Sequence, residues 1–273
     1  MTATVVRPTA FPDNPSPIVR GRWAVSDTLT ITRRNLLVWL RVPAYIVFTV
    51  IQPVIFVLMF RYVFGGAIHV PGVSYVNFLM PGIIAQTAAF ATFGTAIALA
   101  QELQKGVIDR LRSMPMARSA VLTGRLAADT LRMTITILIV IGVGYAVGFR
   151  FENGAIPAIL MVLMAIFFGV CIALIAAFTG LAIGDEESVQ AFGLIWLFPL
   201  TFLSSAFVPI NSMPGWLQAF ANNQPVTYVV DTMRGLALKD LPIASPLWKS
   251  LVWLIGILVV FGPLAVRAYK RAA

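Results

Sequence analysis

The chain has 273 residues, of which 59% are hydrophobic and only 11% are charged. In soluble domains, roughly a quarter of the residues are charged. The composition therefore excludes a soluble protein and predicts an all-α polytopic membrane protein. The net charge of +9 lies in clusters of Lys and Arg between apolar blocks. That distribution is typical of membrane topology signals and argues against nucleic-acid binding.

The beginning of the chain differs from the rest. Residues 1–22 contain several prolines and no continuous apolar stretch, which predicts a disordered cytoplasmic tail rather than a signal peptide. Residues 23–40 mix apolar side chains with arginines, a pattern that predicts an amphipathic helix on the cytoplasmic membrane surface. Residues 23–273 are predicted to form one transmembrane domain.

The rest of the chain contains apolar stretches that are long enough to cross a bilayer, since a spanning helix needs about 20 residues. Clusters of Lys and Arg precede the first stretch, separate the second from the third and follow the last. The positive-inside rule therefore places both termini in the cytoplasm. Six spans are predicted, at residues 44–64, 77–100, 132–149, 156–183, 189–208 and 247–266.

The apolar block after the fifth predicted span is too long for one helix, and prolines and asparagines interrupt it. We expect a bent segment that re-enters the membrane from the outer side. Residues 226–236 carry one apolar helical stripe, and Asp231 and Arg234 lie on neighbouring turns where they could pair. The residues predicted to shape this outer hairpin are Pro209, Pro214, Trp216, Pro225, Asp231 and Arg234.

The longest charged segment, residues 101–125, separates the second and third predicted spans. Leu103, Val107 and Leu111 form an apolar stripe beside charged positions, and Pro115 ends that helix. A loop that only fixes topology needs a few cations and no such helix, so docking of a cytoplasmic partner is favoured over a plain solvated loop. The predicted docking residues are Glu102, Gly106, Asp109, Arg110, Arg112, Pro115 and Arg118.

The sequence holds no phosphate-binding GxxxxGK[ST] loop, and the centres of the predicted spans hold no ionisable residue. This argues against an ion-coupled transporter and an intramembrane hydrolase, since both need such groups. Cys171 and His69 are each the only residue of their type. We therefore predict no disulfide and no catalytic, metal-binding or cofactor-binding residue in this chain.

Any cargo path through the predicted spans should be uncharged. Aromatic side chains suit an amphipathic or lipid-like molecule, although the same residues could face lipid or a neighbouring helix. The candidates for the path are Phe90, Phe93, Phe198 and Phe202.

Two stretches resemble a known family. Residues 105–121 read KGVIDRLRSMPMARSAV, and the region 200–236 contains FVP, MPGW, NQP and DTMRG. They resemble the cytoplasmic loop and the outer signature of type-2 ABC exporter permeases, most closely the daunorubicin-resistance type. The resemblance covers about residues 23–270 and agrees with the predicted order of elements.

The resemblance implies a permease in the bacterial plasma membrane that pairs with a second permease, either a copy of itself or a paralogue. It also implies two separate ATP-binding subunits that bind ATP and Mg²⁺ on the cytoplasmic side. The expected cargo is a drug, an antibiotic or a lipid-like compound. The alternative from another class is a membrane-embedded assembly factor that docks a soluble partner without transport.

Overall fold

The computed structural model of the chain describes residues 17–41, 43–66, 68, 70, 72–108, 110 and 120–271, and every regular element within them is a helix. Helix α1 begins at Pro17, so residues 17–22 belong to a helix and not to the predicted tail. Residues 1–16, which contain the rest of that tail, lie outside the described residues.

The described part of the chain contains ten α-helices and two short helical turns of other types. A turn of π-helix, Phe60–Phe64, extends α2, and a 3₁₀ turn, Ile210–Ser212, precedes α8. The helices are α1 (Pro17–Arg41), α2 (Pro43–Met59), α3 (Tyr75–Ala91), α4 (Phe93–Gln104), α5 (Ala120–Ala146), α6 (Ala155–Ile183), α7 (Glu186–Phe202), α8 (Gly215–Ala221), α9 (Pro225–Ala237) and α10 (Ala244–Arg271).

Four helical segments in the described part of the chain are long and apolar enough to cross a membrane. Helices α3 and α4 form one of them, Tyr75–Gln104, and α5, α6 and α10 are the others. Residues 49–64 and helix α7 are apolar but shorter, so the first and fifth predicted spans stay predictions. The structure confirms a polytopic helical membrane protein.

The helix that carries the third predicted span, residues 132–149, begins earlier than predicted and ends at Ala146. Helix α5 is 27 residues long and begins at Ala120, so Asp129 and Arg132 lie inside it. The many charged residues just before residue 132 led to the prediction of a loop there. The charged side chains instead pair with one another inside the bundle, which makes their burial in a helix tolerable.

The basic end of the bundle is where α4 and α6 end and α5 and α7 begin. Side chains of α1, α4, α5, α6 and the last turns of α10 form one buried apolar cluster there, with Lys270 and Arg271 closing α10. Gln101 donates a hydrogen bond of 2.7 Å to Glu186. Asp185 caps α7, and its hydrogen bonds with Ser188 hold the pKa of its carboxyl below the usual range.

The opposite end is built from the start of α3, the connection between α5 and α6, and the end of α9. Asn77 donates to Glu152 at 3.1 Å, and the Asn153 side chain donates to the carbonyl oxygens of Gly235 and Leu238 at 2.9 and 2.7 Å. These bonds satisfy polar backbone groups at the end of α9, and they tie the connection to the bundle.

Helix α9 packs among α3, α6 and α10. Its predicted apolar stripe is confirmed, because Val226, Val229, Val230 and Met233 are fully buried and Leu236 is nearly so. Burial extends around the helix to polar residues, including Arg234. The helix is therefore a packed part of the bundle, and a position at the outer membrane surface stays a prediction.

Helices α4 and α6 approach closely at Gly180. A Cβ atom at Gly180 would collide with the carbonyl oxygen of Ala96, which is backbone and cannot move aside easily. We expect Gly180→Ala to destabilise the protein by about 1–3 kcal/mol, measured as a lower temperature for half-loss of monodisperse protein in detergent. Gly256→Ala on α10 is the matched control, since a Cβ there meets open space. Equal stability of the two variants would contradict the close contact.

Candidate functional site

A cavity of about 930 Å³ lies between α1, α2, α3, α4, α5 and α7. We call it the basic-end cavity, because its charged wall lies where α4 ends and α5 begins. Charged side chains from α1, α4 and α5 line one part of it, and aromatic side chains from α2, α3 and α4 line another. A cavity of this size and mixed lining is typical of small-molecule sites.

Five ionic side chains form the charged wall, and we call them the charge network: Arg34, Glu102, Arg125, Asp129 and Arg132. Glu102 pairs with Arg34 at 2.6 Å and with Arg125 at 3.6 Å. Asp129 pairs with Arg125 at 3.3 Å and with Arg132 at 2.9 Å. The network therefore links α1 to α4 and α4 to α5 through charged contacts.

Asp129 is the most buried acid of the charge network, with 7% of its surface exposed. In addition to its two ion pairs, it accepts a hydrogen bond of 2.6 Å from the Thr95 hydroxyl. Arg132 also donates to the carbonyl oxygen of Ala91 at 3.3 Å. A buried charge is stable only with partners of this kind, so the carboxylate of Asp129 holds α4 and α5 together.

Sequence reasoning missed the charge network because it placed Arg125 in a loop and began the span at Arg132. Arg125, Asp129 and Arg132 are spaced by four and three residues, which puts them on one face of a helix. A polar stripe at helical spacing directly before an apolar stretch indicates that the helix begins before the stretch, and this signal was available in the sequence. Charged side chains thus line this cavity, whereas the path expected from the predicted spans is uncharged.

Aromatic residues form the second wall. Phe56, Phe90 and Phe93 line the basic-end cavity, so two of the four predicted path residues lie where a cargo could contact them. Phe198 meets Phe90 edge to face, with ring centroids 5.2 Å apart. Phe202 stacks on Phe198 at 5.4 Å. The structure thus brings the other two predicted residues next to the cavity wall.

The row of rings continues toward the opposite end. Phe202 stacks on Phe207 at 5.0 Å, and Phe207 stacks on Phe60 at 4.6 Å. Phe60 in turn stacks on Phe64 at 5.2 Å. These separations are within the range of favourable aromatic pairs, and they connect α7, the segment after it and the end of α2 by an aromatic chain.

Some of the residues predicted to dock a partner belong to the described part of the chain, and the others do not. Glu102 is a member of the charge network, Gly106 has a φ of +62° that favours glycine, and Arg110 is exposed. Asp109, Arg112, Pro115 and Arg118 lie outside the described residues. Their docking role stays a prediction.

At the opposite end, the predicted pairing of Asp231 with Arg234 is confirmed at 2.9 Å. The Arg234 guanidinium also donates to the carbonyl oxygens of Phe78, Ser205 and Ala206. It lies 3.6 Å from the centroid of the Phe78 ring, within cation–π range. Arg234 thereby joins α9 to α3 and to the segment that follows α7.

The predicted hairpin prolines stand at helix starts. Pro209 precedes the 3₁₀ turn, Pro214 precedes α8, and Pro225 is the first residue of α9. Proline is favoured at such positions because its missing N–H has no helical partner to lose. Trp216 in α8 is 75% exposed, which suits an aromatic side chain in contact with lipid head groups.

The model of the ABC-2 type transporter family matches residues 26–238. The chain is 33% identical to a daunorubicin resistance ABC transporter permease of Streptomyces coeruleorubidus, over 91% of this chain and 87% of the relative. It is also 33% identical to a probable doxorubicin resistance ABC transporter permease of Mycobacterium tuberculosis, over 93% of this chain and 91% of the relative. An inner membrane transport permease of Escherichia coli is 24% identical over 78% of this chain and 82% of its own length. Together with the apolar helices, these matches show that the chain belongs to the ABC-2 type transporter family, as a membrane subunit of a transporter.

Proposed function

We propose that this chain is the membrane subunit of an ATP-driven exporter that moves a hydrophobic or amphipathic compound out of the cell. The observation that carries the proposal is the basic-end cavity of about 930 Å³, with its charged and aromatic walls and the aromatic chain that leads from it to the opposite end. Relatives named for daunorubicin and doxorubicin resistance support a drug-like cargo.

We propose six spans in the bacterial inner membrane, with α2 and α7 as the two that are shorter in the described residues. The basic end faces the cytoplasm, because Lys and Arg concentrate in cytoplasmic segments. Helix α1 then lies at the cytoplasmic membrane surface, where exposed Leu29 and Leu40 contact lipid. The segment from α8 to α9 forms the re-entrant outer hairpin, with Trp216 at the outer interface.

In this proposal, two copies of a separate ATP-binding subunit bind ATP and Mg²⁺, and the permease pairs with a second permease. Residues 101–125 and helix α1 receive the motion of the ATP-binding subunit. The ion pair between Arg34 and Glu102 supports this route, since it joins α1 to the end of α4 directly. Arg125 on α5 extends this route, because it pairs with both Glu102 on α4 and Asp129 on α5.

The proposal is tested by ATP hydrolysis in lipid vesicles that contain the chain and its ATP-binding subunit, with doxorubicin as the added compound. We expect doxorubicin to stimulate hydrolysis. Phe90→Ala should raise the concentration needed for half-maximal stimulation several-fold, because the ring faces the cavity and an aromatic contact contributes about 0.5–1.5 kcal/mol beyond its buried area.

Phe192→Ala is the matched control, because Phe192 also lies in an apolar helix but its ring is 46% exposed and does not line the cavity. Stimulation that is unaffected by Phe90→Ala would remove the cavity from the cargo path. A tight complex in which a broad panel of drugs and lipids leaves hydrolysis unchanged would instead favour the assembly-factor alternative.

A further inference from the structure

A second cavity, of about 420 Å³, lies at the opposite end of the bundle, and we call it the opposite-end cavity. It is bounded by the connection before α3, by the end of α9 and by the first turns of α10. Charged side chains of α9 and α10 line one part, and apolar side chains such as Val73 and Leu241 line another. It shares no lining residue with the basic-end cavity.

Lys249 of α10 places a cation in this cavity. Its Nζ atom lies 5.2 Å from the ring centroid of Tyr228 and 5.9 Å from that of Trp248. Among the described residues, it has neither a carboxylate partner nor a hydrogen-bond acceptor. An ammonium group offers three N–H donors, so those of Lys249 are available to a ligand.

Asp231 of α9 places an acceptor in the same cavity. Its Oδ1 atom accepts hydrogen bonds of 2.9 Å from both Ser205 and Arg234, whereas its Oδ2 atom has no partner in the part of the chain that the structure describes. The side chain is 39% exposed, so this second oxygen is accessible. The cavity therefore contains a cation and an acceptor that do not pair with each other.

The charges of the cavity disfavour a ligand of a single sign. Arg234 and Lys249 outnumber Asp231, so a simple cation meets an excess of positive charge. A simple anion could pair with Lys249 but would lie beside the carboxylate of Asp231. A head group that carries an anion and a primary ammonium group satisfies both residues, because the anion accepts from Lys249 and the ammonium donates to Oδ2 of Asp231.

A quaternary ammonium group fits this cavity less well than a primary one. It has no N–H to donate to Asp231, and proteins usually hold such groups by cation–π contacts with aromatic rings. The Arg234 guanidinium already lies 3.6 Å from the centroid of the Phe78 ring, and Lys249 lies over Tyr228. A quaternary ammonium group would meet these like charges at both rings.

Helix α10 continues from the cavity with an apolar surface that suits acyl chains. Val252 and Val259 follow Lys249 by three and ten residues, which places them on the same side of the helix, and both are exposed. Between them, a Cβ atom at Gly256 would meet open space. Ten residues of helix extend over about 15 Å, which accommodates much of an acyl chain below a head group at Lys249.

We infer that the opposite-end cavity binds a phospholipid whose head group combines a phosphate with a primary ammonium group, the chemistry of phosphatidylethanolamine. The phosphate accepts hydrogen bonds from Lys249, the ammonium group donates to Asp231, and the acyl chains lie along α10. In the proposed topology, this lipid belongs to the outer leaflet. The site is separate from the basic-end cavity, so the inference does not depend on the cargo.

The test is native mass spectrometry of the full chain, purified in detergent and mixed with equal amounts of three dioleoyl lipids. Phosphatidylethanolamine, phosphatidylcholine and phosphatidylglycerol then differ only in the head group. We expect phosphatidylethanolamine to be retained about tenfold more than either of the others, because it alone makes both charge-assisted hydrogen bonds. Equal retention of the three lipids, or a preference for one of the other two, would overturn the inference.

Lys249→Gln removes the partner of the phosphate and should lower the retention of phosphatidylethanolamine about tenfold. Lys239→Gln is the matched control, since Lys239 is an exposed lysine at the same end that does not line the cavity. An equal loss of the lipid in the two variants would show a general effect of net charge and would overturn the inference.

Asp231→Asn keeps an oxygen that can accept from Ser205 and Arg234 and removes the charge. We expect several-fold lower retention of phosphatidylethanolamine and several-fold higher retention of phosphatidylglycerol, which no longer meets a carboxylate. Asp240→Asn is the control, because Asp240 is exposed, lies outside the cavity and has a φ of 61° that asparagine tolerates. An equal fall in all three lipids in Asp231→Asn would assign Asp231 to the fold alone and overturn its contact with the head group.

The same head-group chemistry is available from a soluble compound, glycerophosphoethanolamine. At the concentration at which phosphatidylethanolamine saturates the chain, we expect this compound to leave the bound lipid in place, because it has no acyl chains to lie along α10. Displacement at that concentration would overturn the assignment to a lipid. Since binding is measured without the ATP-binding subunit, a failure of drug-stimulated ATP hydrolysis would count against the proposed function and leave the lipid preference intact.

Discussion

Arg234→Met is expected to destabilise the protein by about 3 kcal/mol or more, because the buried guanidinium donates hydrogen bonds to three backbone carbonyl oxygens, and a bond from a charged group contributes about 1.5–3 kcal/mol. The substitution keeps an unbranched stem, shorter than that of arginine, and removes every donor. Asp231 loses its ion pair, and the carbonyl oxygens of Phe78, Ser205 and Ala206 lose a hydrogen-bond donor. We expect α9 to detach from α3, seen as a much lower temperature for half-loss of monodisperse protein in detergent.

Arg150→Met is the matched control for Arg234→Met. Arg150 is at the same end of the bundle, also donates to backbone carbonyl oxygens and also lies over an aromatic ring, but it is exposed. Solvent replaces its interactions, so the effect should be below about 1 kcal/mol. Arg234→Lys should fall between the two, because an ammonium group cannot reproduce the forked geometry of a guanidinium. Similar stability of all three variants would show that Arg234 does not hold α9 in place.

Asp129→Ala is the second substitution with a large expected effect. It removes the partner of two guanidinium groups and the acceptor of the Thr95 hydroxyl, inside the bundle. Arg132 then has no counter-charge, and Arg125 keeps only its longer pair with Glu102 at 3.6 Å, so we expect the protein to be destabilised by about 3–5 kcal/mol. In vesicles with the ATP-binding subunit, we also expect loss of drug-stimulated hydrolysis, because α4 and α5 no longer move together.

A double-mutant cycle separates the ion pair from general damage. Asp129→Ala combined with Arg132→Ala removes both charges of the pair at 2.9 Å, so the double variant should be more stable than the sum of the single effects predicts. Glu187→Ala, which removes an exposed acid at the same end, should change stability by less than about 1 kcal/mol. Additive effects of the two network substitutions would contradict the pairing.

Hydropathy predicted much of the helical framework. Helix α6, Ala155–Ile183, nearly coincides with the predicted span at 156–183, because an uncharged apolar stretch of this length has no stable alternative to a membrane helix. The apolar stripe of α9 was predicted for a similar reason, since a helical period of apolar residues must be buried. The Asp231–Arg234 pair was predictable because i and i+3 residues are neighbours on any helix.

The start of α5 was not predictable by the same reasoning. Arg125, Asp129 and Arg132 raise the local charge to the level of a loop. Only the neighbouring helices make them compatible with a buried helix, since Glu102 on α4 and Arg34 on α1 complete their pairing. Hydropathy counts each residue alone and cannot include a partner that is distant in sequence.

The sequence alone determined that this protein is a helical membrane protein, where the helical segment α3–α4 and helices α6, α9 and α10 run, and which family it belongs to. These properties follow from runs of apolar residues and from motifs of adjacent residues, which are local. The tertiary structure decided that α1, α4 and α5 meet in a charge network, that phenylalanines of α3 and α7 join one aromatic chain, and that charged and aromatic side chains from different helices line one cavity. Such contacts depend on how distant helices pack against one another, and packing is set by the shape and charge of all the neighbours at once.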